Sequence, residues 1–185
     1  MMMAKGSTLI ATLDFVEREA GAEMRQRVLS RLDDPARARL AGCAPTDEFP
    51  LGVAVELWRA VDAELGPSDP TWIERSGAHS IEHMGVQLYG GILRKSSPQE
   101  FLTQGISLYQ LYYHPGNMEV VEQGAGRVIL RLVGVGNEDR DPLFCRRQTG
   151  GLQRALMLAS AQQAHARHVR CAHEGDAFCE WELRW

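Results

Sequence analysis

The last stretch of the chain, HVRCAHEGDAFCEWELRW at residues 168–185, contains the pattern that decides the fold. From Cys179 to Trp185 apolar residues occupy every second position and charged residues lie between them, which is the pattern of a half-buried β-strand. The residues leading to Cys171 alternate as well, and Glu174-Gly175-Asp176 tolerates a left-handed turn. The stretch predicts a terminal hairpin whose three-residue turn places Cys171 opposite Cys179.

A second hairpin is predicted upstream, in MEVVEQGAGRVILRLVG at residues 118–134. Two stretches with a β-strand composition surround Gln123-Gly124-Ala125-Gly126, and glycines at such positions favour a tight connection. A helix near residues 142–160 is expected between the two hairpins. Together the hairpins supply four antiparallel strands.

Helical periodicity dominates the first two thirds of the chain. Apolar residues recur every three or four positions from Leu9 to Val16, from Met24 to Leu32, and from Val53 to Leu65. Two further helices are expected at about 69–95 and 98–113. The fold class is therefore α+β: N-terminal helices followed by an antiparallel sheet of two hairpins with an intervening helix. We expect a single domain over residues 1–185, with a helical part at 5–113 and a hairpin-helix-hairpin part at 117–185.

Charge and hydropathy exclude several classes of partner. Twenty basic and 24 acidic residues give a formal charge of −4, and no basic block stands out, so nucleic acid is not an expected partner. No run of eighteen apolar residues and no signal-peptide pattern occurs, so we expect a cytoplasmic protein with no membrane partner. In a reducing compartment the four cysteines are expected to be thiols or metal ligands rather than disulfides.

Both ends of the chain resemble one superfamily. KGSTLIATLDFVEREAG at residues 5–21 is similar to the start of heme-nitric-oxide-binding-like (H-NOX-like) domains, and residues 49–66 resemble the segment that follows there. Residues 150–185 resemble the end of the related 4-vinyl reductase domain, with a cysteine, a Gly-Asp turn and a second cysteine. The overall match is to a myxobacterial family of uncharacterised proteins that resembles a divergent branch of this superfamily. The resemblance implies the α+β fold and a sensory or regulatory role rather than an enzymatic one.

The heme signature of that superfamily does not occur at the matching positions. Heme-binding members use a histidine in the helix before the first hairpin, followed downstream by a Tyr-x-Ser-x-Arg motif. Tyr109 stands at the position of the histidine, and residues 127–135, RVILRLVGV, do not contain the motif. We therefore expect no heme. His114 precedes Pro115-Gly116 and is expected to lie in a solvated turn.

The resemblance also implies a structural zinc site. Some 4-vinyl reductase-type sensor domains bind zinc through a cysteine before the last helix, an acidic residue and two cysteines of the terminal hairpin. Cys145, Cys171 and Cys179 match those cysteines, and His168 stands where the acidic ligand is found. Zinc accepts imidazole, and a closed Cys3His site is structural. In a regular strand His168 and Cys171 face opposite sides, so His168 can bind only if a bulge turns it, whereas His173 shares a face with Cys171.

Core packing is the alternative interpretation of each candidate residue. Free cysteines are often small buried hydrophobes. Tyr109 and Tyr112 are expected to line a ligand pocket, as the superfamily implies, or else to pack the core. His79 and His83 are spaced i, i+4, but Glu82 is misplaced for a zincin motif, so a hydrogen-bonded or solvated helix face is expected there.

Two functions from different classes stay open. The first is a regulatory domain that senses a small apolar ligand in a pocket of about 300 Å³ or more. The second is a protein-protein interaction module with a packed interior and an exposed apolar patch; an enzyme, which would need perturbed titratable groups in a cleft, is a third. A regulatory protein partner is expected in the first two cases. Because related domains pair through their helices, a homodimer is expected with contacts at Leu9, Leu13 and Phe15.

Overall fold

The computed structural model describes residues 1–105, 108–136, 141–159 and 162–185. The helices are, in chain order, α1 (Gly6–Ser30), α2 (Asp34–Ala41), α3 (Leu51–Leu65), α4 (Trp72–His79), α5 (Val86–Leu93), α6 (Pro98–Gly105), α7 (Leu108–Tyr112) and α8 (Pro142–Leu158). A π-helical segment, Ser80–Gly85, joins α4 to α5. The strands are β1 (Met3–Lys5), β2 (Glu48–Pro50), β3 (Tyr113–His114), β4 (Asn117–Gly124), β5 (Arg127–Val133), β6 (His165–Arg170) and β7 (Glu180–Arg184).

The main sheet confirms the predicted α+β architecture. Its four strands run in the order β4-β5-β7-β6, and every neighbouring pair is antiparallel. The first hairpin turns at Gly126, which has a φ of 65°, and the second joins β6 to β7. Helix α8 connects the two hairpins, as expected.

The first two runs of apolar residues lie on either side of a kink in α1. Gly21 has a φ of 86°, so α1 consists of two helical halves joined at a kink. A proline at the second residue of α2 and the side chain of Asp33, which accepts a hydrogen bond from Ala36 N at 2.8 Å, start a further helix. Helix α2 was not predicted, because its eight residues, DPARARLA, show no clear amphipathic pattern.

A second sheet, of order β2-β1-β3, was not predicted. Its strands are two or three residues long, too short for an alternating pattern to be visible. His114 lies in β3 rather than in a solvated turn, and its Nε2 lies 3.1 Å from Glu48 Oε2. The expectation of a turn was therefore wrong, although the His114 side chain is 43% exposed to solvent.

The terminal strand β7 is buried on both faces. Trp181 and Leu183 are fully buried in the hydrophobic cluster, as the alternation predicts. Glu180 and Glu182, on the opposite face, are only 6% exposed. Arginines cover these carboxylates: Arg131 and Arg170 pair with Glu180, and Arg127, Arg167 and Arg184 pair with Glu182.

The N-terminal apolar residues belong to the interior of the same chain. Leu9, Leu13 and Phe15 are 0%, 7% and 2% exposed, because α1 packs them into the shared core. They are not available for the symmetric contact that was expected, and the homodimer itself stays a prediction. Within the described ranges, none of the helices combines the length and apolar character needed to cross a membrane.

Helices α4 and α8 cross at very short range, and glycines make this approach possible. A Cβ atom added to Gly77 would meet the carbonyl oxygen of Arg147 at less than 3 Å, and one added to Gly150 would meet that of Glu74. The crossing fixes the orientation of α8, which carries residues of both candidate sites described below.

Candidate metal centre and internal cavity

Three cysteines and one histidine converge where α8 meets the terminal hairpin. One ligand atom from each of Cys145, His168, Cys171 and Cys179 lies within 4.8 Å of the other three. Cys145 Sγ and Cys179 Sγ are 3.6 Å apart. Tetrahedral zinc with Zn–S bonds of about 2.3 Å separates two sulfur atoms by about 3.8 Å, so the spacing of the cluster suits a bound zinc ion.

A β-bulge brings His168 into this cluster. The pairing of β6 with β7 shifts between His168, opposite Trp181, and Arg170, opposite Glu180. The extra residue turns His168 to the side of Cys171, which a regular strand would not allow. His173, the alternative ligand, is not part of the cluster, and neither is Cys43.

The connection between the hairpin strands is longer than predicted. Pairing ends at Arg170 and Glu180, so residues 171–179 form the loop and Cys171 does not lie directly opposite Cys179 within the ladder. Asp176 closes the loop: its Oδ2 accepts a hydrogen bond from Cys171 N at 2.7 Å, and its own N–H donates to Cys171 O at 3.1 Å. Cys171 and Cys179 face each other because this loop folds back, not because of a three-residue turn.

The three cysteine thiols of the cluster differ in their electrostatics. The hydrogen bond from Cys145, together with the nearby His168, lowers the pKa of Cys179, whereas the same bond raises the pKa of Cys145. Burial raises the pKa of Cys171. Nε2 of His168 is buried and has no hydrogen-bond partner in the described part of the chain. A buried ring nitrogen without a partner is costly, and a metal ion would satisfy it.

Aromatic and hydroxyl groups hold the ligands in place. The imidazole of His168 stacks on the ring of Trp181, with centroids 4.8 Å apart. The indole N–H of Trp181 donates to Thr149 Oγ1 at 3.0 Å and to Cys145 O at 3.3 Å. One tryptophan therefore links β7, the strand that follows Cys179, to the helix that carries Cys145.

An apolar cavity of about 50 Å³ lies between α8, the main sheet and the helices that precede the first hairpin. Its walls come from the π-helical segment, α6, α7, the main sheet and α8. Tyr109 and Tyr112, the two residues expected either to line a ligand pocket or to pack the core, both border it. The other lining residues include Ile81, Phe101, Leu102, Met118, Leu130 and Leu152. Their convergence was not predicted, because they lie on separate elements and share no local motif.

The two tyrosine hydroxyl groups differ in their surroundings. Tyr109 Oη donates to Pro115 O at 3.4 Å and lies 3.6 Å from Met2 Sδ. Tyr112 Oη is buried and has no partner among the described residues. Burial raises the pKa of Tyr112 well above its usual value, so it stays a neutral hydrogen-bond donor. It packs against Gly85, where an added Cβ would lie 2.6 Å from the hydroxyl oxygen.

The residues around this cavity do not match the requirements of heme. None of the six histidines, all of which lie in the described ranges, lines the cavity. The volume of about 50 Å³ is well below the roughly 300–1,000 Å³ that drug-sized ligands occupy, and a porphyrin is a large ligand. Tyr109 is the residue at the expected position of the heme histidine, and its hydroxyl is directed to Pro115 and Met2.

His79 and His83 form a hydrogen-bonded helix face, as expected. His79 Nε2 lies 2.7 Å from Asp14 Oδ2, and the two imidazole rings are 4.2 Å apart. Burial is the main reason why the pKa of His79 is lowered. The described residues supply no group of metal ligands around this pair.

Solved structures of H-NOX proteins share the fold of this chain. The Fe(II) unliganded H-NOX protein from K. algicida superimposes with a TM-score of 0.71 at 14% identity, covering 97% of this chain and 95% of that one. An H-NOX protein from S. oneidensis in the Fe(II)NO ligation state gives a TM-score of 0.67 at 12% identity, covering 97% and 98%. No protein-family model matches the chain, and no significant match was found among curated proteins. The chain has the H-NOX fold, with a Cys3His cluster at the end of its sheet.

Proposed function

We propose that this chain is a non-enzymatic regulatory domain that binds a small apolar ligand in its internal cavity, without heme. The observation that carries the proposal is the cavity itself, which is enclosed by apolar side chains together with Tyr109 and Tyr112. The H-NOX fold supports a sensory role, since the protein from S. oneidensis is described in an NO-ligated state. The volume of about 50 Å³ limits the ligand to a few non-hydrogen atoms.

The heme-free part of the proposal rests on the residues of this chain. Heme iron requires an axial ligand such as histidine or tyrosinate. No imidazole borders the cavity, the Tyr109 hydroxyl donates to Pro115 O, and burial raises the pKa of Tyr112 and so disfavours its phenolate form. Leu130 lies in the cavity wall, in the strand where the resembled family has its Tyr-x-Ser-x-Arg motif. The H-NOX neighbours are iron proteins, so the fold alone is compatible with heme, and the side chains are what argue against it.

We also propose that Cys145, His168, Cys171 and Cys179 hold a structural zinc ion. Four ligands complete a tetrahedron and leave no position for water or substrate, so such an ion would have no catalytic role. The unpartnered Nε2 of His168 and the 3.6 Å contact between two sulfur atoms support the assignment. Zinc would stabilise the hairpin loop at residues 171–179, which lies outside the pairing of β6 with β7.

The alternative is a protein-protein interaction module, and the small cavity favours it. The pocket falls short of the 300 Å³ set as the expectation for a ligand sensor, so the interior is close to fully packed. An exposed apolar patch was expected in this case. Met1, Leu88 and Val121 are the large hydrophobic side chains that are exposed within the described residues.

Xenon binding distinguishes the two functions. Xenon enters apolar cavities that are otherwise empty, so under xenon pressure we expect shifts in the methyl NMR signals of Leu130, Leu152 and Met118. The variant Ala155→Leu, which fills the cavity from α8, should lose these shifts. Titration with hemin should give no stoichiometric complex. Unchanged methyl signals in the wild type would favour the packed interaction module, and a stoichiometric heme complex would refute the heme-free proposal.

A further inference from the structure

Arg147 differs from the other buried charged residues of this chain in having no ion-pair partner among the described residues. Four charged side chains are buried among the described residues. Glu180 and Glu182 are surrounded by arginines, and Asp141 pairs with Arg59 at 3.0 Å. Arg147, which is only 3% exposed, forms no ion pair with any described carboxylate. Buried charges are normally paired because desolvation is costly, so this guanidinium calls for an anionic partner.

The protein provides hydrogen-bond acceptors for only some of the N–H groups of the Arg147 guanidinium. Its Nη1 donates to Ser76 Oγ at 3.3 Å, and its Cζ lies 5.6 Å from the centroid of the Trp58 ring. Its Nε has no hydrogen-bond partner in the described ranges. The nearest acidic residue on α4, Glu74, is already engaged by Arg146 through two bonds of 2.7 and 2.8 Å. Arg147 therefore keeps at least one hydrogen-bond donor, Nε–H, without an acceptor among the described residues.

Space for an anion exists beside this side chain. A small cavity of about 30 Å³ is bordered by Arg147, Ser80, Tyr112 and Gln148. It has room for one or two water-sized groups, which is the size of a carboxylate head. Tyr112, whose hydroxyl has no partner in the described chain, borders it as a second donor.

The small cavity adjoins the apolar cavity described above. Both are lined by Ile81, Tyr112, Tyr113, Gln148 and Gly151. One end of the combined space is therefore cationic, and the other end is apolar. Arg147 is the only charged residue that borders either cavity within the described residues, which favours a monoanion over phosphate, since a second negative charge would stay unpaired.

We propose that this space binds a short-chain monocarboxylate, with the carboxylate at Arg147 and Tyr112 and the hydrocarbon chain in the apolar cavity. The inference rests on the proposed function and names the chemical class of its ligand. A guanidinium binds a carboxylate through charge-assisted, often bidentate hydrogen bonds, which would satisfy the free donors of Arg147. The two volumes limit the chain to about two to five carbon atoms.

Calorimetric titration and thermal shift with butyrate test this inference, at constant ionic strength. Butyramide is the matched neutral ligand, and inorganic phosphate is the matched anion without an apolar chain. Butyrate should bind and raise the melting temperature, and the other two should have little effect. Arg147→Met should weaken butyrate binding at least about tenfold, as expected for loss of a charged hydrogen bond. The neighbouring Arg146→Met removes the hydrogen bonds to Glu74 and to Pro70 O, which lie outside both cavities, and should stay within about twofold of the wild type.

Tyr112→Phe provides a second variant in case Arg147→Met does not fold. It removes a hydroxyl without a protein partner, so it should fold normally and still bind butyrate more weakly. Equal binding of butyrate and butyramide, tighter binding of phosphate, or full butyrate affinity in both variants would overturn the inference. If xenon enters the cavity but butyrate does not bind, the carboxylate inference fails and the pocket function stands; if neither binds, both fail.

Discussion

The close crossing of α4 and α8 makes a sharp prediction about two adjacent glycines. Gly150 and Gly151 both lie inside α8. A Cβ at Gly150 would overlap the backbone carbonyl of Glu74, which cannot move aside without shifting α4. A Cβ at Gly151 would lie 3.5 Å from Ile81 Cγ1, an ordinary van der Waals contact. Alanine at these two positions should therefore have opposite effects.

The magnitudes follow from two competing terms. Alanine in place of glycine in a helix interior stabilises it by about 1 kcal/mol. Overpacking a rigid contact costs about 1–3 kcal/mol, and the cost is at the upper end when backbone must move. We expect Gly150→Ala to lower the free energy of unfolding by about 2 kcal/mol, or the melting temperature by roughly 4–8 °C. Gly151→Ala should leave it unchanged or raise it by up to about 1 kcal/mol.

Urea denaturation followed by circular dichroism measures both variants against the wild type. The comparison is internal, because the two positions share one helix, one residue type and one substitution. A Gly150→Ala variant as stable as Gly151→Ala would mean that α4 and α8 do not approach as closely as described, and the placement of Arg147 beside its cavity would lose its basis.

Two further predictions concern the terminal hairpin. Purified protein should contain stoichiometric zinc by metal analysis, and chelation should lower its melting temperature; Cys171→Ser should abolish both effects, whereas Cys43→Ser, outside the cluster, should preserve them. A metal-free protein with unchanged melting temperature would contradict the zinc assignment. Hydrogen bonds from Arg184 and Arg127 lower the pKa of Glu182 from 4.5 to about 2. The ionised Glu182 carboxylate therefore contributes fully to the free energy of unfolding above pH 4.5, and this contribution is lost as the pH falls towards 2. Glu182→Gln should flatten the loss of stability between pH 4.5 and 2 in urea titrations, and an unchanged profile would refute the role of this carboxylate.

The elements with clear periodicity were predictable from the sequence. The alternation from Cys179 to Trp185 identified β7, and glycine-rich residues around Gly126 identified the first hairpin turn. Apolar spacing predicted α1 and α3, whereas α2 was missed and the helices expected at 69–95 and 98–113 are each divided into shorter segments. These features depend on interactions between residues that are close in sequence, so a local pattern can encode them.

The features that define the sites depend on distant residues. The spacing of the cysteines suggested a metal site, and it was recognised that His168 needs a bulge, but whether β6 contains one depends on its pairing with β7. The sequence did not indicate that Arg147 is buried or borders a cavity, because a single arginine in a helix is usually solvated. Only the crossing with α4 places it in the interior without a carboxylate. The burial of Glu182 is likewise a consequence of arginines on three other positions of the sheet.

Helix α8 carries a residue of each candidate site on different sides of its first two turns. Cys145 contributes to the Cys3His cluster, and Arg147, two residues further along, borders the cavity. Residues two apart in a helix point roughly 200° away from each other, so one helix can serve the hairpin and the cavity at once. The glycine contacts with α4 fix the rotation of α8 from one side, and the indole of Trp181 fixes it from the other through Thr149 and Cys145. Among the described elements, α8 is the one that contributes a side chain both to the Cys3His cluster and to the cavities.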